Sequence, residues 1–71
     1  MTNSRKFRDA VNRAGLKYNY LAKQLDITPF GLQKKIDNMS EFKASEIHKL
    51  SKLLNLTDGE RNQIFFAAIC D

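Results

Sequence analysis

The chain has 71 residues, 42% of them apolar and 28% charged, and a formal net charge of +4; this composition excludes a disordered segment and leaves room for one domain with a single small core. The longest apolar run, residues 64 to 70, is far shorter than the roughly 20 residues that span a bilayer, and no hydrophobic stretch follows the basic N-terminus, so neither export nor insertion is expected and the cytoplasm is the expected compartment. A single cysteine, Cys70, excludes an internal disulfide, while residues 1 to 43 carry nine Lys or Arg against four acids and residues 44 to 71 carry three against four.

The predicted elements are all helices. Asn3 and Ser4 are suitable N-caps for a first helix over residues 4 to 14, with Phe7, Ala10, Val11 and Ala14 on its inner face and Gly15 stopping it in the left-handed position. A second helix over residues 18 to 25 is marked by Leu21, Ala22 and Leu25, although Lys17 is a weak cap. Thr28 followed by Pro29 starts a third helix over residues 29 to 37: the threonine oxygen accepts an orphan N–H, and proline has none to lose at the first helical position. Leu32 and Ile36 face inward, and Asn38 closes the helix.

A fourth helix over residues 44 to 54 places Ile47, Leu50, Leu53 and Leu54 on one face, and Asn55 ends it. Thr57-Asp58-Gly59-Glu60 is a capping box that launches a fifth helix reaching about residue 69. No segment alternates long enough for a strand. The expected fold is therefore an all-α, compact five-helix bundle in one domain spanning residues 1 to 71.

The stretch from Tyr18 to Asn38 carries the functional expectation. Two short helices separated by Asp26-Ile27-Thr28, with Ile27 buried and Ala22 against Leu32, make a helix-turn-helix whose second helix suits a DNA major groove about 12 Å wide. Leu21-Ala22, Leu25, Ile27, Leu32 and Ile36 stand where such a motif needs them, and with them the segment resembles the Cro and phage-repressor superfamily of the XRE class, a lambda-repressor-like DNA-binding fold. Residues 42 to 66, with Ser45-Glu46-Ile47 and Leu53-Leu54-Asn55-Leu56-Thr57-Asp58, are similar to small phage proteins of that superfamily, so the resemblance covers nearly the whole chain. It implies a regulator of a lysis–lysogeny type of switch: a Cro-like binder of a double-stranded DNA operator, or a modulator that binds a companion repressor protein.

The chain departs from that pattern at two places. Asp26 replaces the usual turn glycine, and aspartate tolerates a positive φ better than most residues. Pro29, Phe30 and Gly31 replace the usual polar residues at the start of the exposed helix, so base reading falls on Thr28, Gln33 and Lys34, with Phe30 able to touch thymine methyl groups. Gln33 suits an adenine edge and Lys34 a guanine edge or a phosphate; Lys17, Tyr18, Lys35 and Lys43 are the expected phosphate contacts. For these lysines, and for Lys23, an ordinary solvated face is the alternative.

Phe30 beside Pro29 is also a candidate anchor for a protein partner, or a ring folded back near Tyr18 or Tyr20. In the last helix Ile64, Phe65, Ala68 and Ile69 can serve the core. Phe66 or Phe65, with Ile69, is then a candidate homodimer contact, unless closing the core takes every aromatic. A dimer would match operator half-sites about 34 Å apart. Catalysis and cofactors are not expected: His48 and Cys70 are the only histidine and cysteine, and Gly15, Gly31 and Gly59 are isolated, so no metal set or phosphate loop is written in the chain. A purely structural bundle would account for the helices but not for the basic N-terminal half.

Overall fold

Asn3 opens the first helix through its side chain, which accepts the Lys6 N–H at 3.1 Å, and α1 runs Ser4–Ala14. The computed structural model describes residues 1–66, and in it α2 (Tyr18–Gln24), α3 (Pro29–Ile36), α4 (Ala44–Leu53) and α5 (Asp58–Phe65) follow, with no strand among the described residues. The Cα radius of gyration is 11.0 Å, which matches the roughly 11 Å of a compact chain of this length. Among the described residues no helix is long and apolar enough to cross a membrane.

Four helix ends share one device. Gly15, Asp26, Asn38 and Asn55 all adopt positive φ, between 53° and 71°. In each case the residue's own N–H returns to a carbonyl three positions back, and the next N–H returns to one five positions back: Leu16 to Val11, Ile27 to Ala22, Met39 to Lys34, Leu56 to Ser51. This is the Schellman ending, in which the orphan carbonyls of the last turn are satisfied by a left-handed residue. The residue that follows is apolar in all four, and Leu16, Ile27 and Leu56 press against the core while Met39 is exposed. Asp26 thus does what glycine would do, and Ile27, expected to be buried, is half-buried at the core edge.

α5 differs most from expectation. Its capping box is formed, with Glu60 N–H on Thr57 Oγ1 and Thr57 N–H on Glu60 Oε1, both at 3.1 Å. The helix nevertheless ends at Phe65, because Phe66 turns to φ −123°, ψ 37°, outside the helical region. Residues 67 to 71, among them Ala68, Ile69 and Cys70, lie outside the described residues.

The core collects two or three residues from every helix: Phe7, Ala10 and Val11, then Leu21 and Ala22, Leu32 and Ile36, Ile47 and Leu50, Ile64 and Phe65. Phe7 sits at its centre, stacked on Tyr18 at 6.4 Å and Phe42 at 5.8 Å and edge-on to Phe65 at 6.0 Å between centroids. Ala14, expected on the inner face of the first helix, is exposed; α1 overruns the core by a turn, and Leu16 takes up the packing beyond Gly15.

The start of α1 ties α3 and α5 together. Asn3 N–H donates to Ile64 O at 2.6 Å, and Ser4 Oγ donates to Ile36 O. Asn38 clamps Thr2, accepting its N–H at 2.7 Å on Oδ1 and donating from Nδ2 to its carbonyl at 2.9 Å. Farther along, Arg13 pairs with Glu60 at 2.7 Å between α1 and α5. The Thr57 N–H and then the Arg13 guanidinium hold the Glu60 carboxyl below the usual carboxylate range.

The Asn38 clamp leads to a test of side chain against backbone. Glycine suits the φ of 65° at this position, yet Asn38→Gly is expected to cost about 1–2 kcal/mol, since two part-buried hydrogen bonds worth about 0.5–1.5 each disappear. Asp26→Gly, where no side-chain bond is lost, is expected to be neutral or mildly stabilising. Urea unfolding of the two variants separates these outcomes, and equal midpoints would mean that the Thr2 clamp contributes nothing.

Candidate nucleic-acid interface

α2 and α3 pack on each other across a connection of four residues, Leu25 to Thr28. Thr28 caps α3 by accepting the Gly31 N–H at 3.0 Å, with Pro29 at the first helical position. A Cβ on residue 31 would stand 3.2 Å from Thr28 Oγ1, so glycine there lets the cap close without crowding. Leu32 and Ile36 are fully buried, as is Ala22 on α2. With that inner face fixed, helical periodicity puts Phe30, Gln33, Lys34 and Asp37 on the outer stripe.

The stripe is built from two side-chain pairs, each one turn long. Lys34 Nζ lies over the Phe30 ring, 5.4 Å from its centroid, and the ring is 73% exposed. Phe30 therefore stays outside: it does not fold back on Tyr18 or Tyr20. Gln33 Nε2 donates to both carboxylate oxygens of Asp37 at 3.1 Å. Asp37 had not been expected to belong to the site, although glutamine followed four residues later by aspartate is a readable helix-surface signal.

The phosphate candidates divide into two groups. Lys17, at the start of α2, and Lys43, at the start of α4, are exposed cations whose side chains make no capping bond. Tyr18 has its ring half-buried on Phe7. Lys35 is placed apart from the rest: only 13% of its side chain is exposed, and its ammonium donates to Glu46 Oε1 at 2.8 Å and to the Glu41 carbonyl at 3.2 Å, above the Phe42 ring. Reaching a phosphate would require breaking that ion pair.

Glu46 is the other residue that sequence reading missed as a partner. Burial pushes its carboxyl up, but the Lys35 hydrogen bond, the Lys43 N–H at 2.8 Å and the charges of both lysines more than offset this and leave it below the usual carboxylate range. Its position three residues after Lys43, where a helix-start acid reaches back to the cap N–H, was the one local signal. Arg5 and Arg8 also passed unremarked. Both are exposed on α1, whose start is bonded to the end of α3, and neither has an ion-pair partner among the described residues.

The candidates for a protein contact also separate. Pro29 and Phe30 are exposed at the start of α3. Phe65 is withdrawn: it is 3% exposed, edge-on to Phe7 and to Phe42 at 5.2 Å, because the inner face of α5 points it into the aromatic cluster. Phe66, 60% exposed, borders a surface groove lined by Phe42, Ala44, Ile47, His48 and Arg61. Ile69 lies outside the described residues. No known protein family, curated protein or solved structure matches the chain.

Proposed function

We propose that the α2–α3 pair is a helix-turn-helix and that the protein is a Cro-like transcriptional regulator of a phage-type genetic switch, with α3 laid in the major groove of an operator. The observation that carries this reading is the division of α3 into a buried face, Leu32 and Ile36, and an outer stripe that includes Gln33 and Lys34 one residue apart. A helix held on one side by its neighbour and bare on the other is the form in which side chains reach base edges. Exposed Lys17 and Lys43, with Arg5 and Arg8, supply cations for phosphates, the sequence-independent part of binding.

Phe30 favours a second reading. An exposed aromatic beside proline has little hydrogen-bonding use on DNA, but it is the kind of side chain that anchors protein interfaces. In that reading the same face binds a companion repressor and the protein acts as an anti-repressor.

Titration of labelled DNA from the adjoining control region with this protein, with the companion repressor, and with both separates the two. Binding by this protein alone supports the Cro-like role; silence alone combined with displacement of the repressor supports the anti-repressor. If the first holds, Gln33→Ala is expected to remove about 1–3 kcal/mol of discrimination at one base pair. Lys34→Ala is instead expected to weaken cognate and random DNA alike and to reduce the salt slope by about 1. Equal losses on both DNAs for both variants would remove Gln33 from the base-reading set.

A further inference from the structure

We propose that Asp37 is a positioning residue for base reading, holding the Gln33 amide in the one orientation that matches adenine; this rests on α3 being the DNA-contacting helix. The two carboxylate oxygens of Asp37 both accept from Gln33 Nε2 at 3.1 Å, one helical turn away on the exposed stripe. A carboxylate has no hydrogen to give, so only the NH₂ end of the amide can face it. The flipped amide would set a carbonyl oxygen against two carboxylate oxygens.

The consequence is directional. One N–H of Gln33 is committed to Asp37, and the second remains beside Oε1, so the amide presents an acceptor and a donor side by side. That pair matches the N6 amino group and N7 of adenine. Guanine offers two acceptors, O6 and N7, at the corresponding places, and the fixed Oε1 meets one of them unfavourably. An untethered glutamine escapes this penalty by rotating and donating from its NH₂ group alone. Asp37 therefore narrows what Gln33 tolerates.

A second effect follows from its charge. A carboxylate on the DNA-facing stripe is repelled by phosphates, so Asp37 lowers affinity for every duplex while raising the preference for one base. Acting through charge alone, Asp37 would change total affinity but not the base preferred.

The test is selection from a random duplex pool with the full chain and its D37A, D37N and Q33A variants, followed by titration of the selected duplex and its single-base substitutions at one salt concentration. Circular dichroism fixes the folded fraction of each protein. D37A is expected to lower the adenine-over-guanine preference at one position about three- to tenfold, the extent set by the rotamer freedom a loose glutamine gives up on binding, while binding random DNA more tightly. D37N presents an amide that can donate as well as accept, so it no longer dictates which end of Gln33 faces it and is expected to lose the preference much as D37A does, with the same gain on random DNA. Unchanged preference in D37A, or a preference fully retained in D37N, overturns the proposal. A wild-type chain that selects no duplex overturns it together with the DNA-binding reading, and that failure is recognisable because it precedes any difference among the variants.

Discussion

Phe7→Ala is expected to remove about 3–5 kcal/mol of stability, the usual cost of emptying a phenylalanine site in a packed core. Phe7 is 0% exposed and touches three other rings, Tyr18, Phe42 and Phe65, which come from α2, the α3–α4 connection and α5. Its removal takes apolar area out of burial, leaves a cavity that helices tied at both ends of α1 close only in part, and breaks the stacked and edge-on contacts. Since a small domain holds only about 0.05–0.15 kcal/mol per residue, the loss is a large share of what this chain has. Phe66→Ala is the matched control: the same chemical deletion at a site 60% exposed is expected to stay within about 0.5 kcal/mol. Chemical unfolding followed by circular dichroism measures both. A loss below about 1 kcal/mol for Phe7→Ala would show that the aromatic cluster is not the centre of the fold.

Lys35→Ala is expected to act on stability and not on the proposed DNA contact. Removing one partner of a fully buried ion pair strands the other charge at a cost of about 3–5 kcal/mol; here both side chains are slightly exposed and Glu46 keeps the Lys43 N–H, so the cost is expected to fall below that range, at about 1–3 kcal/mol. Replacing Lys35 and Glu46 together with apolar residues should cost much less than the single change. If the protein binds DNA as proposed, the folded fraction of Lys35→Ala should match wild type in affinity, whereas Lys34→Ala should not.

The same pair predicts an acid response. Glu46 titrates below its ordinary value in the folded chain, so its contribution is fully present above the ordinary carboxylate pKa. It fades as pH falls through the lowered folded value, where the native carboxylate must take up a proton. Glu60, also lowered, adds to the loss in the same direction. In Lys35→Ala, burial of Glu46 is no longer offset by the ammonium, so the carboxyl moves up and the fall in stability with acid becomes shallower. Unfolding midpoints from neutral pH to below the carboxylate range measure this, and parallel curves for the two proteins would dissociate Glu46 from Lys35.

Nearly all of the secondary structure was legible in the chain because its signals act within about five residues. Asn3, Thr28-Pro29 and Thr57 with Glu60 begin helices by bonds to their own first turns. Gly15, Asp26, Asn38 and Asn55 end them by adopting a backbone shape that their short side chains, or lack of one, permit. The buried stripe of each helix followed from its periodicity, apart from Ala14 at the overrun end of α1. The end of α5 did not, because no glycine, asparagine or proline marks the turn at Phe66.

What the tertiary structure alone decided is the fate of side chains that are neighbours in sequence. Lys34 and Lys35 look equally fit for a phosphate, yet a rotation of about 100° per residue sends Lys34 to the outer stripe beside Phe30 and Lys35 to Glu46, eleven positions along the chain. Phe65 and Phe66 divide in the same way, one into the cluster around Phe7 and one to the surface. Charge and apolarity set what a residue can do. Which partner it meets depends on how helices distant in sequence are set against each other, and that placement, made by the aromatic core and the ties of Asn3, Ser4 and Asn38, is written in no local pattern.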